Sequence, residues 1–109
     1  MEIREKLKQI IEEAQKAAIV AGELPEGEYA PVQRLEIPKE KKFGDYSTNA
    51  AMQWARTAHR APRMIAEVLV KHIESDLVDH MEIAGAGFIN FYLTDDLVYR
   101  ELRHIQGLW

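Results

Sequence analysis

Gly85-Ala86-Gly87-Phe88-Ile89-Asn90-Phe91-Tyr92-Leu93 decides the fold of this 109-residue chain. Successive side chains of a strand point to opposite sides of the sheet, so the stretch divides into two faces. Ile89, Phe91 and Leu93 make one face, uniformly apolar and suited to a core. Phe88, Asn90 and Tyr92 make the other: an aromatic ring, an amide and a second ring. Such a ring stacks on any base, and an amide carries donors and an acceptor for a base edge. The same alternation also suits an ordinary half-buried strand. Phe and Tyr fit a pleated surface, and an Asn near glycines can satisfy turn backbone. Both readings stay open at the level of pattern.

Upstream, Ala84-Gly85-Ala86-Gly87 is a glycine-rich turn that folds Met81-Glu82-Ile83 back onto Phe88–Leu93 as a β-hairpin. Pro62 suits the first position of a helix, where its missing N–H costs nothing, and Ile65, Val68, Leu69 and Ile73 stripe that helix to about Glu74. Before it, Ala50, Ala51, Trp54, Ala55 and Ala58 mark a helix with one large anchor, capped by Asp45 or Ser47. The apolar residues of 2–21 (Ile3, Leu7, Ile10, Ile11, Ala14, Ala18, Ala21) recur at helical spacing, and Gly22 ends the run. Val32 to Ile37 reads as a strand closed by Pro38. After the hairpin, Thr94 caps a last helix, with Asp95 and Asp96 in its first turn and Arg100, Arg103 and His104 near its end. The order α-β-α-α-β-β-α implies an α+β fold. A small antiparallel sheet carries helices on one face as a two-layer sandwich and leaves the Phe88-Asn90-Tyr92 face open.

The length suits a single domain, residues 1–109, with a core of its own. No run approaches the roughly 20 apolar residues of a membrane span, and the charged N-terminus is not a signal peptide. With no cysteine there is no disulfide framework, thiolate metal site or thiol nucleophile, and a reducing cytoplasm is the expected location. The net charge is −4 but unevenly spread. Residues 1–32 carry four Lys/Arg against seven Asp/Glu, residues 33–63 seven against three, and residues 64–109 three against eight. The basic middle third can face phosphates while the rest repels them. That suits a positioned, auxiliary contact better than tight independent binding to nucleic acid.

Catalytic constellations are absent from the pattern. His59, His72, His80 and His104 lack metal spacing, and Ser47 and Ser75 have no evident base. Gly85-Ala86-Gly87 lacks the third glycine and the βαβ unit of a dinucleotide fingerprint.

Three segments in order carry a specific resemblance. Gly44-Asp45-Tyr46-Ser47-Thr48-Asn49-Ala50-Ala51-Met52 resembles the Gly-Asp-Tyr-x-Thr-Asn-x-Ala segment of the arginyl-tRNA synthetase N-terminal domain. Ala61-Pro62-Arg63-Met64-Ile65-Ala66 resembles that family's Pro-x-x-Ile-Ala helix start, and Ile83–Phe91 its Ala-Gly-x-Gly-Phe-Ile-Asn-Phe hairpin. The resemblance implies a domain that binds the elbow of the arginine tRNA at its dihydrouridine loop. Phe88 would stack on a loop base and Asn90 would read its edge. Some relatives carry Tyr where this chain has Phe88, which keeps the stacking surface without the hydroxyl. Tyr92 joins them from the strand alternation alone, and Lys41, Lys42, Arg56 and Arg60, with Lys39 and Arg63, are the basic residues expected near phosphates.

No His-Ile-Gly-His-like or Lys-Met-Ser-Lys-like signature occurs, so the resemblance implies a fragment. The parent would attach arginine to its tRNA with ATP and magnesium. The fragment would bind no cofactor, and would have its own catalytic domain as partner in cis. The rival reading, of another class, is a protein-interaction domain that uses the open aromatic face.

Overall fold

The computed structural model describes residues 2–94, so the helix expected after Thr94 lies outside the described residues. The described elements are α1 (Ile3–Val20), β1 (Tyr46–Thr48), α2 (Ala50–Ala58), α3 (Pro62–His72), β2 (Val78–Ala84) and β3 (Phe88–Leu93). A short 3-10 turn, Lys41–Phe43, precedes β1. The three strands form one antiparallel sheet in the order β1-β3-β2, with β3 in the middle. The fold is the α+β sandwich expected, with the helices on one face.

Burial follows the alternation of β3. Ile89 and Phe91 are fully buried and Leu93 nearly so, and Trp54, Ala51, Ile65 and Leu69 from α2 and α3 complete the core against them. The α1 helix packs on α3 through Leu7, Ile11, Ala14 and Ala18, while Ala21, counted in its stripe, is the exposed C-cap. The α2 helix ends at His59 in a left-handed turn (φ 53°), with the Arg60 N–H donating back to the Ala55 carbonyl. That turn lets Pro62 start α3 two residues after Arg60.

Two expectations are corrected. Val32–Ile37 is not a strand, because only Glu36 pairs, in an isolated bridge with Ser47. Its two buried residues, Val32 and Leu35, stand three apart, a spacing a flat strand cannot turn to one face. Side chains of the helices satisfy this part of the backbone instead. Glu12 accepts from the Val32 N–H, Trp54 Nε1 donates to the Ala30 carbonyl, and Gln53 both donates to the Pro31 carbonyl and accepts from the Gln33 N–H. Residues 30–33 are thus an extended strap laid over α1 and α2. The strand of that region is Tyr46–Thr48, where a helix cap was expected. Neither Asp45 nor Ser47 caps α2; the Thr48 hydroxyl accepts from the Ala50 N–H.

The far ends of α1 and α3 are joined by charge. Glu23, just after α1, accepts from Lys71 Nζ and faces His72 Nε2 on the last turn of α3. The bonds from Lys71 and then His72 hold the Glu23 carboxyl below its ordinary range. A lowered folded value contributes stability above the unfolded value and loses it as pH falls through the folded one. Glu23→Gln should therefore melt earlier than wild type at neutral pH. The two melting curves should converge in acid, which thermal melts over a pH series will check.

Candidate nucleic-acid interface

Cross-strand pairing determines what stands beside each outer-face residue. Residues paired across a sheet share a face. Phe88 pairs with Ala84, Asn90 with Glu82 on one side and Ser47 on the other, and Tyr92 with His80. Glu36 joins the same face through its bridge to Ser47.

Phe88 is 41% exposed, an open ring at the turn end of the hairpin. Small neighbours keep it open, since Ala84 lies across from it and Gly85 follows. The turn is held against α3. A Cβ on Gly87 would come within 2.9 Å of Pro62, and Arg63 Nη1 donates to the Gly85 carbonyl at 3.1 Å. A shallow cleft of about 40 Å³ opens beside Phe88, lined by Gln33, Arg34, Glu36, Ser47 and Asn49. Asn49 Nδ2 donates to Gln33 Oε1, which ties the strap to the start of α2.

Asn90 departs from the expected open position, with only 7% exposed. It lies on the central strand, and the segment before β1 closes over it. Gly44 sits so close that a Cβ there would stand 3.4 Å from the Asn90 Cβ and 2.8 Å from the Phe91 carbonyl. With φ at 99°, only glycine suits this approach. Among the described residues the Asn90 side chain takes no hydrogen-bond partner, and its amide is not among the fully buried unpaired groups, so its polar end reaches the outer surface with donors and acceptor free.

Tyr92 is engaged already. Its ring stacks on His80 (centroids 4.2 Å apart, 8° between planes) and its hydroxyl donates to the Lys42 carbonyl at 2.6 Å. Burial, then a hydrogen bond with Glu82 and the charges of Glu82 and Asp45, hold its pKa above the ordinary value. Asp45 serves the strand: its N–H donates to the Phe91 carbonyl and its carboxylate accepts from the Leu93 N–H. The same carboxylate pairs with Lys41.

The structure thus gathers Phe88, Asn90 and Tyr92 on one face. The backbone of the Lys41–Lys42 turn is fastened at the Tyr92 end, and Arg63 at the Phe88 end. Arg56 is on α2 and Arg60 follows its C-cap, both in the helical layer, with Arg60 close enough to the Tyr29 hydroxyl to lower a pKa that burial raises. Lys39 is exposed in the loop. The sequence reading missed Glu82, Arg34, Gln33 and Glu36. Counting back across the Gly85-Ala86-Gly87 turn would have found Glu82 opposite Asn90. The other three reach the face through long-range packing that no local pattern carries.

The elements define a small α+β domain with one sheet face on its core and the other turned outward around an aromatic ring and an amide. The chain belongs to the arginyl-tRNA synthetase N-terminal domain family, whose model matches residues 1–93. It is 53% identical over 88 residues to the arginine–tRNA ligase of Listeria welshimeri, covering 79% of this chain and 16% of that protein. It is 46% identical over 97 residues to the Bacillus subtilis arginine–tRNA ligase, covering 87% of this chain and 17% of that protein. The chain therefore spans about a sixth of the curated relatives it matches. In fold it is similar to the arginyl-tRNA synthetase of Plasmodium falciparum (TM-score 0.73, 18% identity, 93% of this chain and 18% of that one). It is also similar to that of Thermus thermophilus (TM-score 0.71, 22% identity, 92% and 15%).

Removing the Tyr92 hydroxyl tests the fastening of the lysine turn. Tyr92→Phe should lower stability measurably in urea unfolding. It should also speed hydrogen exchange at Phe43 and Gly44 while leaving the amides of α3 unchanged.

Proposed function

We propose that this chain is a tRNA-docking domain of an arginine–tRNA ligase, and that its outer sheet face takes the dihydrouridine loop of the arginine tRNA. The observation that carries the reading is an open Phe88 ring beside Asn90, whose side chain is largely enclosed while its amide end has no hydrogen-bond partner among the described residues. Phe88 stacks on a loop base and Asn90 reads its edge. Phe88 and Tyr92 stand four residues apart, about 13 Å along the strand, too far to sandwich one base. Tyr92 accordingly acts through the backbone it holds, positioning the Lys41–Lys42 turn for phosphate contact. Arg63 and Arg34 flank the Phe88 end. Arg56, on α2, and Arg60, just past its C-cap, make their phosphate contacts outside this face.

The parent enzyme, on this reading, joins arginine to its tRNA with ATP and magnesium. On this reading both act in the catalytic domain. The domain contributes binding and orientation, and its catalytic partner lies in cis.

Arginylation kinetics of the full-length parent provide the test. A stacked base is worth ~1–3 kcal/mol, so Phe88→Ala should lower kcat/KM for tRNA by roughly ten- to a hundredfold. Asn90→Ala should flatten discrimination among tRNAs changed at the docked base, more than it lowers charging overall. Unchanged charging in both variants would send the hairpin back to a purely structural role.

A further inference from the structure

The row that crosses the outer face at Asn90 is acidic. Pairing aligns Glu36, Ser47, Asn90 and Glu82 side by side, with strands about 4.8 Å apart. Both glutamates are exposed, and neither forms an ion pair among the described residues. The hydroxyl nearest Glu82, that of Tyr92, spends its one proton on the Lys42 carbonyl. Glu82 lies within hydrogen-bond reach of that hydroxyl, which takes at most one of the carboxylate's acceptor sites, so beside the Asn90 amide it keeps acceptor capacity for a ligand.

We propose that Glu82 is a specificity-determining residue of this face, selecting a base whose edge carries an exocyclic amino group over its oxo counterpart. The inference rests on the RNA-docking reading and deepens it. A base stacked on Phe88 projects its edge along β3 toward the Asn90 row, about 7 Å away. The amide of Asn90 serves either kind of edge, since it both donates and accepts. An ionised carboxylate only accepts. It takes a charge-assisted hydrogen bond from an amino group and meets an oxo group with repulsion. The same charge repels phosphate, so the RNA backbone runs outside the row, toward Arg34 and Arg63. An acidic domain can in this way favour a nucleic acid: the charge that opposes the backbone selects the base.

The test is an NMR titration of the chain with RNA hairpins that share a stem and differ at one loop base. Two near-isosteric pairs isolate the amino-to-oxo change, cytosine with uracil and adenine with hypoxanthine. The Asn90 side-chain amide and the Phe88 backbone amide report binding. Wild type should favour the amino member of each pair by about tenfold or more. Glu82→Gln, whose carboxamide serves both edges, should bring the ratios to about one, and Glu36→Gln should leave them standing. Ratios near one in wild type, with binding still lost in Phe88→Ala, would overturn the role of Glu82 and leave the docking reading intact. Equal narrowing by Glu36→Gln would also overturn it, by making the effect one of general charge. Binding that Phe88→Ala does not weaken would overturn the docking reading and this inference with it.

Discussion

The close approach of Gly44-Asp45 to Phe91–Leu93 is the constraint on which the rest of the structure depends. A one-residue slip in a strand exchanges its two faces. In β3 that would bury Asn90 among Trp54 and Leu69 and expose Phe91. Gly44 admits the Phe91 carbonyl where any side chain would collide with it, and the Asp45 N–H then binds that carbonyl. The Asp45 carboxylate takes the next free N–H of the strand, that of Leu93. The β1 strand has only three residues, so these bonds extend its hold on β3 well past its own length. On the opposite edge the hairpin to β2 fixes the same register independently.

From that register the division of labour between the two faces follows. The inner face is continuous with the helical layer and is filled by apolar side chains. The outer face is finished by pieces that come from elsewhere in the chain. The strap and the residues just after it contribute Gln33, Arg34 and Glu36, the lysine turn covers the Tyr92 end, and Arg63 clasps the hairpin turn. Each piece is held by hydrogen bonds to backbone, which fix its course while leaving charged side-chain ends in solvent. Such an arrangement presents a preorganised surface at low entropic cost on binding.

Much of this was legible in the sequence, and the exceptions share a cause. Helical periodicity found α1, Pro62 placed the start of α3, and the alternation of Ile89, Phe91 and Leu93 gave the core face of β3. These signals are local. The strand assigned to Val32–Ile37 failed because the apolar residues there answer to two helices and not to a sheet. Tyr46–Thr48 was overlooked because three residues with no apolar alternation make a strand only when a partner supplies the ladder. Asn90 was expected in the open, and nothing near it in sequence tells that Gly44 comes to rest against it. Strand alternation placed Phe88 and Asn90 on one face, but the acidic company of Asn90 emerges only from the pairing.

On the proposed docking reading, the outer face of β3, and not the helical layer, meets the RNA. Hydrogen–deuterium exchange of the chain with and without the arginine tRNA tests it most directly. Docking on this face slows exchange in the 41–47 segment and across the hairpin from Ala84 to Tyr92, with α1 unchanged. Slowing confined to α1 and the strap over it, with the hairpin unaffected, would contradict it and move the interface to the opposite side of the domain.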